Sequence, residues 1–190
     1  MIQTLANRMA DYVVKHDNTA SQEELAYGYS LILMGFVTYA TVILSAILFG
    51  LFIKMLIAIA AFMMMRLTVG GCHANHRVIC FITYSGVLYT SILLADVIVL
   101  NWQVKLALYL INIVLLILYA PGDTVDQPMV RNRFLRKILG LIFLSCVFVT
   151  AFLLQDMRTE TNILLIVSTS TCILLHPFIY KIYRCERSLN

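Results

Sequence analysis

The sequence predicts an all-α integral membrane protein of about six transmembrane helices, preceded by an amphipathic helix. Three observations predict it. Of 190 residues, 61% are hydrophobic and only 13% charged, where a soluble domain carries about 25% charged residues. Mean hydropathy is +0.88. Apolar stretches of near-span length recur six times between short charged loops. This length allows one polytopic membrane domain over 1–190 with no separate soluble domain. It comprises an interfacial helix at 1–20, a transmembrane bundle at 22–180 and a cytoplasmic tail at 181–190.

The elements follow in chain order. Ile2, Leu5, Met9, Tyr12 and Val13 recur at helical spacing while Asn7, Arg8 and Asp11 take other faces, the pattern of a helix lying along the headgroups. Arg8, Asp11, Lys15, Asp17, Glu23 and Glu24 interrupt the N-terminal region before any apolar run, which is unlike a secretory signal, so the first span is expected to be retained. A loop at 17–20 ends the first helix. Ser21-Gln22-Glu23-Glu24 is a capping-box pattern that starts the next one. The apolar segments are 31–49, 51–65, 78–100, 106–120, 138–154 and 162–180. The second is short and holds Lys54, whose ammonium can snorkel outward from a turn at Gly50. A re-entrant hairpin over 31–65 is the rival reading, and either one returns the chain to its starting side.

Charge then predicts orientation. If both termini share a side, that side also carries the loops 66–77 and 121–137, and with them eleven of the 14 basic residues. The other side has Lys54, Lys105 and Arg158. This bias puts the termini and both loops in the cytoplasm. The net charge of +4 follows from topology and calls for no nucleic-acid partner. Five cysteines fit the same picture: Cys72, Cys80 and Cys185 face a reducing compartment where structural disulfides are rare. Cys146 and Cys172 fall mid-span, where a small buried hydrophobe is the expected role.

Chemistry is concentrated in Gly70-Gly71-Cys72-His73-Ala74-Asn75-His76-Arg77-Val78-Ile79-Cys80. The glycines break the second span's helix, and a new helix starting near Asn75 puts Cys80 in an early turn, where the positive helix end and Arg77 favour a thiolate. His76 and Cys80 are four apart, about 6 Å on one helix face. His73 is seven away, roughly 10 Å along an axis, and reaches the thiol only if the glycines fold the loop back. Cys72 is a rival nucleophile. Three readings stay open on these residues: a Cys/His nucleophilic enzyme, a zinc-type site of Cys72, His73, His76 and Cys80, or polar loop residues of a peptide transporter or scaffold.

A second polar excursion, Tyr119-Ala120-Pro121-Gly122-Asp123-Thr124-Val125-Asp126-Gln127-Pro128, is stopped by two prolines and a glycine. Arg131, Arg133, Arg136 and Lys137 follow it, as an orientation signal or to capture an acidic substrate segment. Asp96, the one acid inside a predicted span, lies about 24 Å along a helix from Cys80 and is rejected as its orienter. Asp123 is read as a helix-end cap and His176-Pro177 as a local kink.

The spacing Gly71, His73-Ala74 and Cys80 (G-x-H-A-x5-C), after Arg66 and before Tyr119-Ala120-Pro121 with Thr124 and Pro128, resembles the accessory gene regulator B family. These are bacterial membrane cysteine endopeptidases that process the precursor of a cyclic quorum-sensing peptide. The likeness covers nearly the whole chain. It implies Cys80 as nucleophile and His73, rather than His76, as base. Arg66, Gly71, Tyr119, Pro121, Arg131 and Arg133 become candidates for binding substrate. The implied partner is a precursor with an amphipathic N-terminus and an acidic C-terminal tail, with a homodimer as the assembly, the lipid bilayer as surroundings, and no cofactor or metal. The pattern departs at Ser30, after Tyr27-Gly28, where many relatives carry Glu or Gln.

Overall fold

The computed structural model describes residues 2–16, 21–71, 77–122, 132–154 and 157–185. Among them there are eight helices and no strand, with one isolated backbone bridge between Gly70 and Gly122. The chain forms two compact units, Met1–Gly50 and Leu51–Asn190.

The first unit is a helix pair. α1 (Ile2–Val14) packs against α2 (Gln22–Leu48). Ala6 and Ala10 are fully buried, while Leu5, Met9 and Tyr12 stay exposed. The predicted apolar stripe is therefore present, but small alanines make the helix contact and the large side chains face outward, as an interfacial helix requires. Asp11 accepts a hydrogen bond from the Gln22 amide. Ser21 caps α2 as its sequence predicts, its Oγ accepting from the Glu24 N–H at 3.4 Å. Ser30 is buried and donates to the Tyr27 carbonyl at 2.8 Å within its own helix.

The second unit holds α3 (Phe52–Val69), α4 (Arg77–Val97), α5 (Trp102–Tyr119), α6 (Arg133–Leu153), α7 (Arg158–Ile173) and α8 (Pro177–Ile182). Five helices of the described chain, α2 to α6, are long and apolar enough to cross a membrane. α3 runs to Val69, one turn beyond the 51–65 segment, and its 18 residues are span-length by themselves. The sixth segment divides into α7 and α8. His176 has extended backbone and caps α8, its Nδ1 accepting from the Phe178 N–H at 3.2 Å. Pro177 occupies the first turn, where its missing N–H costs nothing.

α7 is 16 residues long, about 24 Å, yet it is the centre of this unit and packs against α3, α4, α5 and α6. Its buried face is rich in small polar residues, including Thr161, Asn162, Ser168 and Thr171. Each hydroxyl donates to a carbonyl one turn back, Ser168 to Leu164 and Thr171 to Val167 at 2.8 Å. Such residues let helices approach closely where lipid gives no hydrophobic push. Asn112 of α5 reaches across to Thr169 Oγ1 at 2.8 Å.

The two cysteines expected mid-span differ. Cys172 is fully buried as expected. Cys146 is exposed on α6, because the buried positions of that helix are Gly140, Leu144, Val147 and Ala151 and Cys146 lies off that stripe.

At one end of the unit, Lys54 and Asp96 pair at 2.6 Å, each about one-third exposed. This joins the start of α3 to the last turn of α4, at the opposite end of α4 from Cys80. Asp96 is thus bound elsewhere, in keeping with its rejection as an orienter.

Candidate active site

Four of the residues predicted to matter, Arg66, Gly71, Tyr119 and Pro121, gather where α3 and α5 end. Below them lies a buried cluster of Met65, Val69, Leu116, Ala120, Leu144, Cys172 and Leu175. Val69 and Ala120, the last apolar residues before the glycine pair and the proline, both belong to it. Core packing thus fixes the two chain exits side by side.

The exits then pair through their backbones. Gly71 N–H donates to the Gly122 carbonyl, and Gly122 N–H donates to the Val69 carbonyl, each at 2.8 Å. Gly70 closes α3 with φ 73°, its own N–H bonded to the Arg66 carbonyl at 2.9 Å. Gly71 has φ +131°, and a Cβ there would sit 2.1 Å from Arg66 Nη1. Both demands call for glycine. The Ala120–Pro121 peptide is cis.

Side chains wrap this turn. Arg66 Nη1 donates to the Gly70 carbonyl at 3.3 Å, and its guanidinium lies over the Phe62 ring, 5.7 Å from the centroid. Tyr119 meets the His176 ring edge-on at 5.0 Å between centroids. A Cβ on Gly122 would lie 2.5 Å from Tyr180 Oη and 2.7 Å from Leu175 Cδ2. Arg136 reaches the Leu67 carbonyl at 3.4 Å and Lys137 donates to the Ile117 carbonyl. Two of the cations after the second loop therefore hold helix-end carbonyls, a use that the last turn of a helix favours.

Cys80 stands in the first turn of α4, half-buried and not in a disulfide. One turn further on, Thr83 Oγ1 and Tyr183 Oη are hydrogen-bonded at 2.7 Å. Tyr183 follows α8, and Cys185 N–H returns to the Tyr180 carbonyl at 3.0 Å. The start of the C-terminal segment 181–190 is thus folded, and it ties to the helix that carries the thiol.

The structure brings Arg66, Gly71, Tyr119 and Pro121 into one assembly and puts Cys80 at the start of the next helix. Arg133 opens α6 and is exposed. His73, His76, Cys72, Asp123 and Arg131 lie outside the described residues. Among the described residues no three metal-ligating side chains cluster. Thr83, Tyr180 and Tyr183 were not singled out by sequence reasoning. Their only signal is a pair of tyrosines three apart in a basic C-terminal stretch.

Comparison with known proteins shows the family. The family model described as "Accessory gene regulator B" matches residues 6–178. The "Accessory gene regulator protein B" of Staphylococcus epidermidis is 31% identical over 138 residues, 72% of this chain and 70% of that protein. A "Putative AgrB-like protein" of Listeria innocua is 24% identical over 188 residues, covering 95% of this chain and 91% of the relative. No solved structure matches. With the matched region spanning both loops and all the membrane helices, this chain is a multi-pass membrane protein that belongs to the accessory gene regulator B family.

Proposed function

We propose that this protein is a membrane-embedded cysteine endopeptidase that removes the C-terminal tail of a quorum-sensing precursor peptide. Family membership supports involvement in accessory gene regulator autoinducer processing. The single observation that supports the finer reading is the backbone pairing of Gly71, the first residue of one family motif, with Gly122, which directly follows Tyr119-Ala120-Pro121.

The chemistry runs as acyl transfer. His73 takes the Cys80 proton, and the thiolate attacks the carbonyl at the junction with the tail. The C–N bond breaks, the departing amine takes that proton from the imidazolium, and the core peptide remains on Cys80 as a thioester. A thiol or hydroxyl within the peptide then attacks this carbonyl, closing a thiolactone or lactone and returning Cys80 as a thiol. An acyl-enzyme keeps the activation that direct hydrolysis would lose. A site at the membrane surface would restrict competing water.

Arg131 and Arg133 would receive an acidic tail, and Arg66, Gly71, Tyr119 and Pro121 would line its approach. On the charge bias of the loops, the site and both termini face the cytoplasm of a bacterial cell. Co-expression with the cognate precursor in membranes tests the reading. Mass spectrometry should find a short released tail with the native chain and none with Cys80→Ala. Release that continues undiminished in Cys80→Ala would overturn it.

A further inference from the structure

A second constellation of charge sits at the other end of the second unit. A cavity of about 550 Å³ opens there between the starts of α5 and α7 and the end of α6. Its walls include Trp102, Phe148 and Phe152, and two cations, Lys105 and Arg158, line it with no carboxylate among the described lining residues.

Lys105 is unusual for a lysine: it is only 7% exposed. Its ammonium donates to the Ala151 carbonyl at 3.1 Å, its one hydrogen bond among the described residues. Ala151 is in the last turn of α6, whose carbonyls lack helical partners, so that bond is well used. An ammonium has three hydrogens, however. Arg158 is exposed and close enough for the two charges to repel. Glu160, in the first turn of α7 two residues on from Arg158, is not among the described residues that line the cavity. Both α5 and α7 begin here; Asn101 caps α5, and α7 has no side-chain cap but carries Glu160 in its first turn, so the helix ends add little and the two cations carry the positive charge of the cleft. Like charges gathered in an apolar-walled cleft favour an anion.

The walls select the kind of anion. Trp102 is 60% exposed and Phe152 52%, and a tryptophan at the start of a membrane helix marks the headgroup level. An anion in this place must tolerate apolar surface on several sides. We infer that this cavity binds an anionic phospholipid, with Lys105 and Arg158 holding the headgroup phosphate and the aromatic walls the first part of the acyl chains. The family's peptide chemistry plays no part in this site, which lies at the opposite end of the bundle from Cys80.

Trp102 is the only tryptophan in the chain, so it reports on the cavity directly. The experiment titrates the full chain in detergent micelles with brominated phosphatidylglycerol or brominated phosphatidylcholine and follows tryptophan quenching. Phosphatidylglycerol should quench at lower mole fraction. Arg158→Gln should weaken that binding about tenfold, the loss of one charge-assisted contact, and bring its curve onto that of phosphatidylcholine. Lys105→Gln should do the same, and Lys181→Gln, at the other end, should retain the preference. Equal quenching by both lipids in the native chain would overturn the inference. So would a preference that survives Arg158→Gln, an exposed change that leaves the core intact, or one lost equally in Lys181→Gln. Displacement of the brominated lipid by inorganic phosphate alone would assign the site to a free anion instead, and would also overturn it.

Discussion

Gly71 donates its backbone N–H to the Gly122 carbonyl at 2.8 Å, and so couples the loop that precedes Cys80 to the turn that follows Pro121. A Cβ on Gly122 would meet Tyr180 Oη at 2.5 Å, Leu175 Cδ2 at 2.7 Å and the Gly71 Cα at 3.1 Å. Gly122→Ala should therefore push the two loops apart. Overpacking of this kind costs about 1–3 kcal/mol, and precursor cleavage in membranes should fall with it. Gly86→Ala, on α4 with nothing within 4 Å of the added carbon, should retain both thermal stability and cleavage. Equal behaviour of the two variants would show that the pairing is dispensable.

The base is decided by a pair of histidine variants. His73→Ala should abolish release of the precursor's tail, and His76→Ala should retain most of it. A base must come within about 3 Å of the thiol, directly or through one water, before its basicity matters. Gly70 and Gly71 both have positive φ, and the prediction for His73 requires that the chain after them fold back toward Cys80. The reverse result would make His76 and Cys80 a dyad four residues apart on one helix.

The spans were legible because lipid imposes one simple demand, an unbroken apolar run, and the sequence meets it from α2 to α6. The break at His176–Pro177 was equally legible, since proline supplies no N–H. What hid α7's central place is that its buried face carries Ser, Thr and Asn, whose value lies in close packing rather than hydropathy. Cys146 was misread for a related reason: mid-span depth says nothing about which side of a helix faces its neighbours. Nor could the bond from Gly71 to Gly122 be read. A backbone pair between distant loops leaves no periodicity, only glycines where space or φ requires them. The substrate-binding candidates Arg66, Gly71, Tyr119 and Pro121 came from family spacing alone, and the contacts they make in the fold are structural ones: Arg66 on the Gly70 carbonyl, Gly71 on Gly122 and Tyr119 on His176.

Thiol chemistry and metal chemistry separate on reagents. Alkylation of membranes carrying the native chain should stop processing, and strong chelators should leave it unchanged. Activity lost on chelation and recovered with zinc would instead mean that Cys80 serves as a metal ligand, since such a site binds its cysteine as thiolate and its histidine neutral.

The last expectation concerns how Cys80 is held. Thr83 lies one turn beyond it, and the hydroxyls of Thr83 and Tyr183 are 2.7 Å apart. Thr83 also donates to the Ile79 carbonyl at 2.8 Å, so Tyr183 is the donor in the shared bond and Thr83 the acceptor. Removing either partner should cost about 1 kcal/mol of local stability. If the bond positions the first turn of α4, the consequence is kinetic: small misplacements of a nucleophile lower the rate of attack far more than they lower affinity. Tyr183→Phe should slow acyl-enzyme formation several-fold, with precursor retention and Tm nearly unchanged. Thr83→Val should do likewise, and the double variant should be no slower than either single one, because the two changes remove the same bond. Additive losses, or a fall in Tm that accounts for the whole effect, would reduce the pair to a structural contact between the C-terminal segment and α4.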